Sequence, residues 1–457
     1  MLLFHLDIVC ESISSGEIST VKKSMFRMSL ALFLLFAALG WQARNPSAQT
    51  TDEAALLKRA QKLHREAIVI DTHNDVTSAI LDEGFDLADN GVKPDGTLKT
   101  HTDIKRLRAG GLDAQFFAVY VDKDFVNQKP LAGGGAARRT LDMIGVVYEQ
   151  VARHPETFEM AFTAADVRRI VKRGKIASLM GIEGGHAIED SLYALRMYHQ
   201  LGIRYMTLTH TNTNDWADSE ADLKNPNVKH HDGLNDFGKA VITEMNRLGM
   251  MVDISHVSDK TMADVLATTK APIIASHSSA RAVANHPRNV NDETLRGIAK
   301  NGGVVMVNFY DGFIDPRKAE LTLASRAKTD ELKVLYPNDT NKVNEEMAKW
   351  RAAQPKFDKT PLSVLMDHFV HIIKTAGIDH VGIGADLDGV PIDGVPIGME
   401  DVSKYPVITL ELLRRGYSDS DVKKLLGENI LRVMGECERF AREMQKAQPA
   451  PTPARLK

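Results

Sequence analysis

Histidines and carboxylates stand at the ends of six apolar runs in this chain. In VIDTHNDV (residues 69–76) a β-branched run breaks off into Asp71, His73 and Asp75 at alternate positions. KIASLMGIEG (175–184) closes on Glu183, IRYMTLTH (203–210) on His210, MMVDISH (250–256) on His256 and APIIASH (271–277) on His277. HVGIGADLDG (380–389) closes on Asp386 and Asp388. Imidazole and carboxylate suit zinc and related divalent cations. His73 and Asp75 are two apart, so a strand or its exit presents them on one side. A carboxylate such as Glu183 has two oxygens and can bridge two cations. Five or more donors exceed what one tetrahedral catalytic zinc with an open position takes. They suit two metals about 3.5–4 Å apart that share a carboxylate.

Such donors need elements that bring the run ends together. With DAQFFAVYV (113–121) and GGVVMVNF (302–309) there are eight apolar runs, and segments with helix signals lie between them. Continuous apolar runs of this length suit parallel strands buried on both faces. DVRRIVKRG and NDFGKAVITEMNRLG end in Gly after basic residues, and SDKTMADVLATT opens on a Ser cap. Eight strand–helix units predict an α/β fold of the (β/α)8 TIM-barrel type, with a doubly wound open sheet as the alternative. In a barrel all strand ends meet on one face, where catalytic groups sit. Two stretches break the repeat. Residues 122–140 hold the Gly-rich KPLAGGGAARR, and residues 311–360 read as a helical insertion between the seventh and eighth strands. Residues 406–446 read as C-terminal helices, with SDSDVKKLLGENILRVMGE strongly periodic. No Gly-rich phosphate motif follows any strand.

The chain has 457 residues, 43% of them hydrophobic, and a net charge of −3 with acids and bases interleaved. The absence of a basic stripe argues against a nucleic-acid partner. Lys22, Lys23 and Arg27 precede an apolar run from Ser29 to Trp41, which reads as a secretory signal around residues 25–49. The expectation is therefore residues 1–50 as extension and signal, 51–446 as the barrel and 447–457 as a disordered tail. Export to the periplasm or medium follows, with membrane contact only if the N-terminal segment is retained. Cys10 would leave with the signal, so Cys437 remains alone and no internal disulfide can form.

The motifs VIDTHNDV, MGIEGGHAIEDSL, RYMTLTHTNTNDWADS, MVDISHVSD, PIIASHSSARAVANHPRNV and HVGIGADLDGV, with EDVSKYP beyond them, occur in one order. In these the chain resembles the membrane dipeptidase (renal dipeptidase) family of zinc peptidases, from about residue 60 to residue 440. The resemblance implies a binuclear zinc dipeptidase acting by metal-bound hydroxide, with tolerance of a C-terminal D-residue. It implies His73 and Asp75 on one zinc, His256 and His277 on the other, and Glu183 bridging. His210 would contact the scissile carbonyl, Arg288 would clamp the substrate carboxylate, and Asp386 rather than Asp388 would handle the proton. Asp71 and His186 read as structural, Asp253 as a support behind His256, and His230 and His231 as solvated; Trp216 either lines the pocket or packs the loop. The chain lacks the C-terminal anchor signal and the cysteines of animal members, so it resembles a bacterial secreted form and any homodimer would be non-covalent. Another metal-dependent amidohydrolase (a deaminase or a cyclic-amide or β-lactam hydrolase) and a non-catalytic binding barrel remain the alternatives.

Overall fold

The structure is a computed structural model describing residues 46–126, 135–337 and 339–447. Cys10, the apolar run Ser29–Trp41, residues 127–134 of the Gly-rich loop and residues 448–457 of the tail lie outside the described residues. Contacts divide the chain into Met1–Leu57 and Lys58–Lys457. The described part of the first unit is the opening of a helix, Pro46–Glu66. The second unit carries the fold.

Nine strands are present among the described residues: β1 (Ile70–Asn74), β2 (Ala114–Tyr120), β3 (Phe158–Met160), β4 (Ile176–Glu183), β5 (Ile203–Thr207), β6 (Met251–Asp253), β7 (Ile274–Ala275), β8 (Val304–Val307) and β9 (Val381–Ile383). Every pairing is parallel, in the order β2-β1-β9-β8-β7-β6-β5-β4-β3. β2 also pairs along its whole length with β4, from Ala114 opposite Ala177 to Tyr120 opposite Glu183, and so closes an eight-stranded (β/α)8 barrel. All eight residues of β4 are buried, as a parallel strand covered on both faces must be.

β3 is the strand absent from the sequence reading. It pairs Phe158–Met160 with Ile176–Ser178, the opening of β4, while β5 takes the later residues of that edge. Three residues carry too little periodicity to be read as a strand.

The helix signals act as expected. Ser258 accepts from the Thr261 amide, and Gly249 ends Asp236–Leu248 in the left-handed region. The C-terminal periodic stretch is not one helix. Asp419–Lys423 passes through a π turn at Lys424–Glu428 into Asn429–Ala447. Gly427 lies in that turn against Ile68, where a Cβ would come 2.3 Å from the carbonyl oxygen. The 311–360 stretch lies between β8 and β9, the seventh and eighth barrel strands, as Asp311–Ile314, Pro316–Leu335 and Thr340–Ala352.

Candidate metal centre

β1 carries His73, and Glu183 is the last residue of β4. The other donors lie just past their strands. His210, His256, His277 and Asp386 follow the last residues of β5, β6, β7 and β9. The backbone must turn out of the barrel there, and His256 (φ 67°), Asp386 (φ 63°) and Asp388 (φ 66°) take left-handed conformations to do so. Non-glycine residues rarely adopt that region, and such strain gathers at functional sites.

The donors converge on Glu183. Its Oε1 is 2.9 Å from His256 Nε2 and 3.2 Å from His277 Nε2, and its Oε2 is 3.4 Å from His73 Nε2. His73 Nε2 is also 3.2 Å from Asp75 Oδ2. Three overlapping donor groups result: His73–Asp75–Glu183, Glu183–His210–His256 and His73–His277–Asp386. One oxygen of Glu183 therefore faces the His256–His277 pair and the other faces His73.

The arrangement fits cations better than it fits itself. His256 Nε2 and His277 Nε2 stand 2.9 Å apart, and His73 Nε2 and Asp75 Oδ2 are buried without a hydrogen-bond partner. Tautomers point the same way. Tyr205 donates its hydroxyl to the Thr72 carbonyl, so it accepts from His73 Nδ1–H at 2.8 Å and leaves Nε2 for the centre. Tyr205 reaches His73 across Gly181, where a Cβ would lie 2.0 Å from the ring. Ser276 Oγ donates to Asp253 Oδ2 at 2.5 Å, so it accepts from His277 Nδ1–H at 2.8 Å and frees that Nε2 as well. Buried partners of this kind orient metal-binding imidazoles.

Asp253 thus serves His277 through Ser276, with Thr207 and the amides of Ser255 and Ser276 as its other partners. The sequence reading placed it behind His256; the register of β6 beside β7 sets the correction, because Asp253 pairs across to Ile274. Asp253→Asn is expected to weaken metal binding about 10–100-fold while the barrel stays folded. Metal titration read against a thermal melt checks this.

Electrostatics separates the roles. Burial opposes the charge of Glu183, but His73 and His210, with the adjacent His256 and His277 rings, hold it well below the usual range. Burial, then Arg288, keeps His256 well below its ordinary value; burial, then His73, does so for His277. Both imidazoles are neutral, as metal donors must be. Burial, then repulsion from Asp75 and Glu183, pushes Asp386 up to about 8 against the pull of His73 and Arg288.

Asp386 and Asp388 have different surroundings. Asp386 Oδ1 is 3.9 Å from His73 Nε2, and Oδ2 accepts from Asn308 Nδ2 at 2.7 Å. Asp388 Oδ1 accepts from the His101 amide at 2.6 Å, and its own amide donates to His101 Nδ1 at 2.9 Å. His210 Nε2 is 3.8 Å from Glu183 Oε1, with its ring edge-on to Tyr120. Arg288 is 2% exposed, donating to Ser278 Oγ and the His277 carbonyl, with Phe313 over its guanidinium at 5.3 Å. The cavity above the donors, about 400 Å³, is lined by Tyr120, Glu183, His210, Tyr310, Phe313 and Asp386 among others. Arg288 is not part of that wall; Phe313 is.

The remaining readings also find places. Asp71 accepts from the amides of His73 and Ala385 and from the Tyr405 hydroxyl, so it ties β1 to the exit of β9. His186 bonds the Val121 carbonyl. Trp216 is fully buried and packs the loop. His231 is not merely solvated: its ring bonds the Asn214 carbonyl and its amide reaches Asp218. Tyr120 and Asn308 were missed, although they sit near the ends of the two runs without a histidine or carboxylate. Neither is a carboxylate or an imidazole, so a comparison of run ends for metal donors passes over them.

The membrane dipeptidase model, peptidase family M19, matches residues 57–448. Among solved structures the chain is similar to the probable dipeptidase PvdM from Pseudomonas aeruginosa, with 27% identity and a TM-score of 0.69 over 85% of this chain and 99% of that one. It is similar to a metallopeptidase from Rhodobacter sphaeroides, liganded with a phosphinate mimic of the dipeptide L-Ala-D-Ala. That match has 26% identity and a TM-score of 0.64, over 81% of this chain and 99% of the other. Dipeptidase AC, a metallopeptidase, matches at 26% identity and a TM-score of 0.64, over 81% and 98%.

Proposed function

We propose, because the chain belongs to the membrane dipeptidase family (peptidase family M19), that it cleaves dipeptides at a centre of two zinc ions and accepts a C-terminal D-residue. It is a metallopeptidase of the membrane-dipeptidase type. The observation that carries the two-metal reading is the split use of Glu183, one oxygen toward His256 and His277 and the other toward His73. His73, Asp75 and Glu183 would hold one cation, and Glu183, His256 and His277 the other. Acceptance of a D-residue is supported by the L-Ala-D-Ala mimic held by the Rhodobacter sphaeroides relative.

Bound there, two divalent cations polarise a carbonyl and lower the pKa of water into the neutral range. The chain's own groups supply the rest. His210 points its Nε2 into the cavity beside Glu183 and would donate to the carbonyl oxygen as charge builds on it. Asp386, oriented by Asn308, would take the proton of the attacking water and deliver it to the leaving amine. Arg288, stacked on Phe313 of the cavity wall, would attract the substrate's carboxylate. We place the reaction outside the cytoplasm, on the strength of the basic residues and apolar run before Trp41. Among the described residues no helix is long and apolar enough to cross a membrane.

Metal loading is expected to release protons. Burial opposes protonation of His73, but Tyr205, Asp75 and Glu183 overcome it and hold its pKa well above 6.5. Any proton that His73 and Asp75 hold between them must leave when a cation takes their lone pairs. Affinity falls as pH falls, and loading at neutral pH releases protons from the centre, with His73 and Asp386 as their sources. Calorimetry in buffers of different ionisation heat reads the number released; zero protons released would refute it.

The test of the function is metal content together with a peptide panel. About two zinc per chain and chelator-sensitive cleavage of L-Ala-L-Ala and L-Ala-D-Ala, but not of tripeptides, is the expected result. Two metals without dipeptide cleavage would move the function to another amide.

A further inference from the structure

We infer that the insertion between β8 and β9 forms a cationic vestibule that selects dipeptides carrying an anionic side chain. The inference rests on the dipeptidase reading and adds a substrate class to it.

The insertion is a separate structural piece. Helices Pro316–Leu335 and Thr340–Ala352 enclose their own apolar cluster of Leu332, Val343 and Met347, with Tyr336 and Trp350 packed against it. Arg326 joins this pair to the segment after His210, through an ion pair to the buried Glu220 at 3.0 Å. Between the insertion and that segment lies a chamber of about 810 Å³. It adjoins the metal cavity, for Thr211, Tyr310 and Pro391 wall both spaces. A side chain leaving the metal cavity past these three residues enters the chamber.

Positive charge exceeds negative charge on its wall. Lys123, Lys333, Arg351 and Lys356 line it. All four are exposed, and none forms an ion pair with a carboxylate among the described residues. Two acids share the wall, Asp222 and Asp330, and Asp222 already accepts from the Thr213 amide. Arg326 is neutralised by Glu220. An excess of positive charge thus faces an open chamber on a chain whose net charge is −3. A cleft lined by one sign of charge concentrates ligands of the other sign, and salt weakens the effect. The space is far larger than an alanine methyl needs and admits a carboxylate on an extended side chain.

The experiment compares isosteres on the zinc-loaded full chain: Glu-Ala against Gln-Ala, and Ala-Glu against Ala-Gln, with Ala-Ala as reference. In at least one pair the acidic dipeptide is expected to lead in kcat/KM by about fivefold at low ionic strength, with the lead shrinking in salt. The triple variant Lys333→Glu, Arg351→Glu and Lys356→Glu should abolish or reverse that ratio. The ratio is read rather than the absolute rate, and a thermal melt verifies folding. Equal rates for both isosteres, or a lead that survives the triple variant, would overturn the vestibule and leave the dipeptidase intact. Failure on every dipeptide, Ala-Ala included, would refute the dipeptidase reading and this inference with it.

Discussion

The Glu183→Gln protein is expected to fold, to hold no more than one cation per chain, and to lose at least about 1,000-fold in kcat/KM. The loss follows from what the two carboxylate oxygens face. Oε1 lies within 3.2 Å of both His256 Nε2 and His277 Nε2, and Oε2 lies 3.4 Å from His73 Nε2. Glutamine keeps one oxygen, presents an NH2 to the other side and carries no charge. Stabilisation of the transition state by a cation amounts to several kcal/mol, and about 4 kcal/mol corresponds to about 1,000-fold. The fold should survive, because β4 is held by backbone pairing with Tyr120 of β2 and Thr207 of β5, which the side chain does not enter. Metal content by mass spectrometry, with a thermal melt, checks both halves. A variant with two cations and kcat/KM within tenfold of the parent would remove Glu183 from the bridging position.

Asp386→Asn should act on chemistry and leave the metals in place. The expectation is a kcat lowered about 100- to 10,000-fold, with metal content unchanged and KM little altered. Asp386 Oδ1 is farther from His73 Nε2, at 3.9 Å, than the Glu183 and Asp75 oxygens are, and Oδ2 is held by Asn308. Burial, then Asp75 and Glu183, raises its carboxyl to about 8 in the metal-free centre. Bound cations would lower that value by favouring the carboxylate. Below its pKa in the loaded enzyme Asp386 is protonated and cannot accept a proton from water, so activity falls as pH falls through it. The variant should lack that limb of the pH–rate profile. Asp388→Asn is the control. Its oxygen would still accept from the His101 amide, and its rate should stay within about tenfold of the parent, since a single hydrogen bond contributes about 0.5–1.5 kcal/mol. Equal losses in both variants would mean that the turn, not the Asp386 proton, matters.

Much of this site was legible because a barrel strand separates its tasks by position. Its middle must be apolar to fill the core, so the first polar residues after an apolar run mark the mouth. His73 and Glu183 are read from β1 and β4 in this way. His210, His256, His277 and Asp386 are read as run ends, although the strands stop short of them. The reading failed where no local pattern exists. β3 is three residues long, and the partner of Asp253 depends on which residue lies across the β6–β7 boundary.

The order of residues by itself determined the eight apolar runs, their parallel arrangement with helices between, and the donor types that end them. Periodicity and side-chain chemistry are local properties, and a linear chain displays them. Only the tertiary structure decided how the runs close through β2 and β4, which oxygen of Glu183 faces which imidazoles, and which of Asp386 and Asp388 meets His73. It also stacked Arg288 on Phe313 of the cavity wall and turned the insertion's cations toward a common space. These are relations across hundreds of residues, set by register and by backbone turns at positive φ, and neither is written in the spacing of any one segment.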